Sequence, residues 1–212
     1  MAVRAKICGV TTREAVDAAV AGEAAWIGFV FCAPSPRNIA PQAAAALIAH
    51  APARIGKVGV FVDAEDGAIA EAVAAGLTGI QLHGSESPER AAALRKRFDV
   101  EIWKAVPVRT REDLALASRY RGAVDRILYD AKAPKGAAIP GGLGLRFDWR
   151  LLEGFDHPLP WLLSGGLDPD NVREAIGIAG AQAVDVSSGV ESAPGVKDVD
   201  KIAAFLKATA QS

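Results

Sequence analysis

The chain has 212 residues, 50% hydrophobic and 23% charged, with a formal net charge of −1. That length suits one domain with a sizeable core, and the balanced charge gives no support to a nucleic-acid or acidic-membrane partner. Two cysteines far apart make no disulfide framework, His50, His83 and His157 stand isolated without metal-ligand spacing, and no run has the apolar character of a signal peptide or the length of a membrane span.

A reducing cytoplasm is therefore the expected home. Neither a metal nor an organic cofactor is expected, and a small molecule is the expected partner.

Short apolar runs alternate with Ala-rich segments of helical spacing. Ala5–Cys8 reads as a strand, followed by "TTREAVDAAVAGE", whose threonine N-cap and closing glycine predict a helix over Thr12–Ala21. Ala25–Phe31, "AWIGFVF", is too apolar to be half-exposed and fits a strand buried on both faces. A helix over Pro41–Ala51, a strand over Lys57–Val62, a helix over Asp66–Ala75 and a strand over Gly79–Leu82 follow. Ser87–Phe98 opens Ser-Pro-Glu, a cap, a first-turn proline and an early acid in order. Then come a strand at Ile102–Val106, a helix at Arg111–Tyr120, a strand at Arg126–Tyr129 and a helix at Phe147–Glu153. The last units are strand Trp161–Leu163, helix Pro169–Ile176 capped by Asp168 and closed by Gly180, strand Ala183–Val186 and helix Val199–Thr209.

Strand–helix alternation implies parallel pairing with right-handed crossovers. Eight such units predict an α/β fold, a closed (β/α)8 TIM barrel, as a single compact domain over residues 1–212. The rival is an open doubly wound sheet. It usually has fewer strands and often a G-x-G-x-x-G turn, which "CGVTTRE" lacks. The unpatterned stretch Ala131–Leu145 reads as a mobile loop rather than a domain boundary.

Barrel active sites form at the C-terminal ends of the strands. Those ends carry Cys8, Arg37 after "PSP", Gln81 and His83, Asp130, the pair Gly165-Gly166, and Ser187-Ser188-Gly189. Glycines let a ligand approach the backbone closely, and the loops after the last two strands of a barrel often bind phosphate. Arg37 suits a carboxylate or a phosphate, or is an exposed loop arginine. Asp130 could donate a proton or simply cap a turn. Cys8 could be a buried, inert thiol. It becomes a working one only in an electropositive setting, and Lys6 lies on the same side of the strand.

Taken in order, "KICGVT", "GFVF…SPR", "GVFV", "QLHG", "LYDAKAP…PGGLGLRFDW", "LSGGLDPDNV" and "DVSSGVE" resemble the motifs of the phosphoribosylanthranilate isomerase family of tryptophan biosynthesis, from Lys6 to about Phe205. The resemblance implies a cofactor-free barrel enzyme. Its reaction is the Amadori rearrangement of N-(5'-phosphoribosyl)anthranilate to 1-(o-carboxyphenylamino)-1-deoxyribulose 5-phosphate. It implies Cys8 as general base, Asp130 as general acid and Arg37 as the contact for the anthranilate carboxylate. His83 and Asp185 become substrate-binding residues, and Gly142, Gly165, Gly166, Ser187, Ser188 and Gly189 the phosphate site. One departure stands out: where the family often has Gly-Gly-Thr-Gly, this chain has Gly141-Gly142-Leu143-Gly144, which keeps the glycines and loses a hydroxyl.

That chemistry suits these groups. Protonating the ring oxygen opens the sugar to an iminium, which acidifies the hydrogen at C2 for removal by a base. A thiol with an ordinary pKa near about 8.5 would need only a small downward shift to serve as thiolate. Three other readings compete. A sugar-phosphate epimerase would want metal-binding His and Asp at strand ends. A non-catalytic sugar-phosphate-binding module would lack Cys8 or Asp130. A thiol redox protein would want a C-x-x-C that Cys8 and Cys32 do not supply. The Ala-rich helix faces show no interface signature, which slightly favours a monomer.

Overall fold

Eight parallel strands close into a barrel in strict chain order, in a computed structural model that describes residues 3–134, 136–137 and 139–212. The units run β1 (Arg4–Cys8), α1 (Arg13–Ala21), β2 (Trp26–Phe31), α2 (Pro41–His50), β3 (Gly56–Phe61), α3 (Asp66–Ala74), β4 (Gly79–Leu82), α4 (Pro88–Arg97), β5 (Glu101–Val108), β6 (Arg126–Ala131), β7 (Trp161–Leu163), α5 (Val172–Ala179), β8 (Ala183–Val186) and α6 (Val199–Ala210). Two further strands, β9 (Glu191–Ala193) and β10 (Val196–Lys197), pair antiparallel outside the barrel, in a stretch without strand patterning in the sequence. The barrel closes between β1 and β8, where Lys6 is in register with Asp185. Among the described residues, no helix is long and apolar enough to cross a membrane.

The apolar runs explain the architecture. One core lies between the sheet and the helices, built by residues such as Ile7, Ile27, Phe29 and Phe205, all fully buried. A second fills the barrel from below. Trp26 and Trp103 meet edge to face at 5.2 Å, with Val58, Leu128 and Leu162 around them. A third, small layer of Cys8, Val30 and Val60 lies above it. The inward positions of β1 and β8 between these layers are polar, Lys6 and Asp185. Bulk at the bottom leaves the top of the barrel for a site.

Three elements differ from expectation. Arg111–Tyr120 winds as a 3-10 helix, with its inward residues Leu114 and Ala117, and Tyr120 packed beside them, at every third position. The helix expected at Phe147–Glu153 shrinks to one 3-10 turn, Trp149–Leu152, capped by the Asp148 side chain. The helix expected from Pro169 begins at Val172. Asp168 and Asn171 exchange side-chain hydrogen bonds with each other's backbone N–H at 3.0 and 2.9 Å, and that closed turn holds the residues between them out of the helix. Gly180, at φ 66°, closes α5 in the left-handed region as the sequence suggests. Of the loop Ala131–Leu145 expected to be mobile, Lys135 and Ala138 lie outside the described residues.

Candidate active site

The top of the barrel holds a cleft open to solvent. Its wall gathers Cys8, Arg37, His83, Asp130, Asp185 and the glycine loops after β6 and β7. Of the expected site residues, Gly142, Gly165, Gly166, Ser187 and Ser188 also line it, while Gly189 lies behind the wall.

Cys8 ends β1 with its side chain inward, two residues after Lys6. Lys6 is fully buried, and its Nζ donates to Asp185 Oδ1 at 2.8 Å across the β1–β8 seam. The other oxygen of Asp185 accepts from Ser164 Oγ at 3.2 Å. Gly28, opposite Cys8 on β2, shows how close the thiol and the ammonium are: a Cβ there would lie 3.0 Å from Cys8 Sγ and 3.1 Å from Lys6 Nζ. The sequence placed Lys6 beside Cys8, and the structure adds its anionic partner.

The expectation of a thiol shifted downward fails in the ligand-free site. Burial pushes the Cys8 thiol up, Lys6 and Lys197 pull it down, Asp185 pushes it up again, and the balance lies above the ordinary thiol value. The sequence could not show this, because desolvation depends on the closed barrel. For Lys6, burial opposes the charge, but Asp185 and Cys8 outweigh it, and its pKa is raised.

Across the cleft, Asp130 is the penultimate residue of β6. Its Oδ1 accepts the N–H of Ala131 at 2.9 Å, and its Oδ2 lies 3.1 Å from His83 Nε2. His83 Nδ1 in turn meets the Gln81 amide at 2.9 Å, with Gln81 Nε2 toward the ring and Oε1 buried without a partner among the described residues. A half-turn of that amide gives Oε1 the Nδ1–H as its donor, and His83 Nε2 then becomes an acceptor facing Asp130. Gly141 comes close enough that a Cβ would lie 2.6 Å from His83 Nε2 and 2.9 Å from Asp130 Oδ2. A glycine at this position lets the loop approach both groups.

The last two loops are built on glycine. Gly165 and Gly166 take φ values of 88° and 65°, which L side chains rarely adopt. Arg146 braces this turn by donating to Gly166 O at 3.0 Å and to Asp168 Oδ2 at 2.8 Å. Among the described residues, the N–H groups of Gly165, Gly166 and Ser188 meet no protein acceptor, which leaves them free for an anion. Gly189 serves packing: a Cβ there would fall 1.9 Å from Leu167 O, so the loops after β7 and β8 touch only because it has none. Leu143, in place of the hydroxyl residue, is 44% exposed at the rim.

Arg37 is buried and engaged rather than loose, because Glu191 of β9 takes its Nε and Nη2 at 2.7 Å each. Lys197 of β10 donates to the same carboxylate at 2.8 Å and to Ser187 O at 2.9 Å. Motif reading picked out neither Glu191 as a partner nor Lys197. Glu191 ends the "DVSSGVE" stretch, but nothing local ties it to an arginine 154 positions away.

The family model described as N-(5'-phosphoribosyl)anthranilate isomerase matches residues 5–208. A protein of that name from Zymomonas mobilis subsp. pomaceae is 55% identical over 209 residues, covering 98% of each chain. The crystal structure of the phosphoribosyl anthranilate isomerase from Thermotoga maritima superposes with a TM-score of 0.88 at 38% identity, over 99% of this chain and 100% of that one. Another structure of such an isomerase, solved with reduced 1-(o-carboxyphenylamino)-1-deoxyribulose 5-phosphate, gives 0.86 at 37% identity over the same shares. The chain belongs to the N-(5'-phosphoribosyl)anthranilate isomerase family.

Proposed function

We propose that this isomerase uses Asp130 as general acid and Cys8 as general base in the rearrangement of N-(5'-phosphoribosyl)anthranilate to 1-(o-carboxyphenylamino)-1-deoxyribulose 5-phosphate, a step of tryptophan biosynthesis. The observation that carries the assignment is that one cleft has Cys8, backed by the buried Lys6, on one wall and the His83–Asp130 pair on the other. Asp130 gives its proton to the ring oxygen as the C1–O bond breaks. With Gln81 Oε1 turned to His83 Nδ1, His83 Nε2 accepts from Asp130, which suits an acid that must carry a proton until the ring opens.

Ring opening leaves an iminium at C1, conjugated with the aniline nitrogen. That cation forms beside the thiol and favours its anion. Burial holds the resting thiol above its ordinary value while Lys6 and Lys197 oppose that rise, so the active base is the fraction of Cys8 present as thiolate. The thiolate removes the C2 proton, and the resulting enolamine tautomerises to the ketone. Asp185 holds Lys6 beside the thiol and offers its carboxylate to the sugar hydroxyls.

Two anionic ends orient the substrate. The phosphate lies against the loops carrying Gly165, Gly166, Ser187 and Ser188, and the ring carboxylate meets Arg37, beside which Gly142 sits rather than at the phosphate end where it was expected. All these residues come from one chain, so a monomer suffices. A reducing compartment such as the cytoplasm would keep Cys8 and Cys32 as the free thiols seen here.

The test is turnover of freshly made substrate by wild type, Asp130→Asn and Arg37→Ala. Asp130→Asn should lose kcat by a factor of about 100 or more, while Arg37→Ala should mainly raise KM. An Asp130→Asn variant with near-wild-type kcat would remove Asp130 from the acid role.

A further inference from the structure

Arg37 already holds one carboxylate. Its Nε donates to Glu191 Oε1 and its Nη2 to Glu191 Oε2, both at 2.7 Å, and the two side chains are 6% and 4% exposed. A guanidinium is planar and offers two forks, one from Nε and one Nη, the other from the two Nη groups. Glu191 occupies the first. Among the described residues Nη1 makes no hydrogen bond, and it faces Gly142, where a Cβ would lie 2.6 Å away. A side chain at 142 would block the second fork, and glycine leaves it open to the cleft.

Glu191 is itself held from behind. Lys197 Nζ donates to Oε1 at 2.8 Å and Gly195 N–H to Oε2 at 3.2 Å, so the β9–β10 hairpin fixes the carboxylate. Burial alone would raise the Glu191 carboxyl, but the hydrogen bonds from Arg37 and Lys197 bring it below the ordinary value and keep it an anion. Burial lowers the Lys197 pKa and Glu191 opposes that fall, so Glu191 supports the charge of Lys197 as well as holding the edge of Arg37.

We propose that Glu191 is a positioning residue for substrate selection: it clamps the Nε edge of Arg37 and presents the Nη1–Nη2 edge to the carboxylate of the substrate's aromatic ring. The inference rests on the assignment of Arg37 to that carboxylate. A neutralising role alone predicts the opposite sign, because removing the Glu191 charge would leave Arg37 without its counter-charge and tighten binding of an anion.

The experiment compares kcat/KM for N-(5'-phosphoribosyl)anthranilate with that for N-(5'-phosphoribosyl)aniline, which lacks only the carboxylate. The proteins are wild type, Arg37→Ala, Glu191→Gln, Glu191→Asp and the double variant Arg37→Ala/Glu191→Gln. The proposal expects Glu191→Gln and Glu191→Asp to lower the ratio of the two values by about tenfold or more, through KM for the carboxylate substrate. Arg37→Ala should abolish the preference, and Glu191→Gln added to it should change the ratio no further. A Glu191→Gln enzyme that keeps the wild-type ratio while Arg37→Ala loses it would overturn the role of Glu191 and leave that of Arg37 intact. Retention of the ratio by Arg37→Ala would overturn the Arg37 assignment itself. Equal loss of both substrates in both Glu191 variants would make Glu191 a structural residue and overturn the inference, as would tighter binding of the carboxylate substrate.

Discussion

Replacing Lys6 with Met separates what the buried ion pair does for the fold from what it does for the thiol. Lys6 is fully buried, and its Nζ lies 2.8 Å from Asp185 Oδ1. At that separation and an effective dielectric of about 20, the gross attraction is about 6 kcal/mol. Removing one partner of such a pair costs about 3–5 kcal/mol, because the remaining charge stays buried. Asp185 keeps a hydrogen bond from Ser164, which places the loss toward the lower end.

The second consequence is at Cys8. Burial and Asp185 already hold its thiol above the ordinary value, with Lys6 the larger of the two cations opposing them. Without Lys6 the thiol rises further, and each unit of rise removes about tenfold of thiolate at a fixed pH below the pKa. The base is active only when deprotonated, so kcat near neutral pH should fall by about tenfold or more, and the rise of kcat with pH should move to higher pH. Urea unfolding and kcat across a pH series measure the two effects separately. Lys6→Met/Asp185→Asn should recover most of the stability, since no lone charge stays buried. A Lys6→Met enzyme that loses stability yet keeps the wild-type kcat and pH profile would refute the coupling of Lys6 to the thiol.

Gly189→Ala puts a Cβ 1.9 Å from Leu167 O. The loops after β7 and β8 must part, with an expected loss of about 1–3 kcal/mol and a raised KM as the phosphate loops separate; denaturation and steady-state kinetics check both. His157 lies stacked on Trp161 with ring centroids 4.2 Å apart, and burial lowers its pKa from 6.5 to about 4. Its contribution to stability is present above about pH 6.5 and is lost as pH falls from there toward about 4. The full shift corresponds to about 3 kcal/mol, and partial solvent access reduces that to about 2 kcal/mol. His157→Phe should flatten this part of the acid stability profile, and an unchanged profile would count against it.

Most of the barrel was legible because parallel strands buried on both faces read as apolar runs, and because caps such as Ser87 and closing glycines such as Gly180 mark helix ends. The 3-10 helix at Arg111–Tyr120 was not separable from an α-helix. Its N-terminal capping signal serves both, and apolar residues three apart fit either period. The site was legible as a set of strand ends, since a closed barrel carries those ends to one rim. Its partnerships were not. Lys6 meets Asp185 across 179 positions, and Arg37 meets Glu191 across 154. The direction of the Cys8 shift needed the burial that only the assembled barrel supplies. Lys197 belongs to a short hairpin with no strand pattern, so nothing in the sequence pointed to it.

The most direct measurement of the central assignment follows substrate deuterated at C2 of the sugar, with wild type beside Cys8→Ala. The account predicts turnover by wild type with a primary isotope effect and deuterium passing to solvent. It predicts neither turnover nor deuterium loss from a folded Cys8→Ala. Cys8→Ala that turns over at near-wild-type kcat with the isotope effect intact would contradict the account and place the base elsewhere in the cleft.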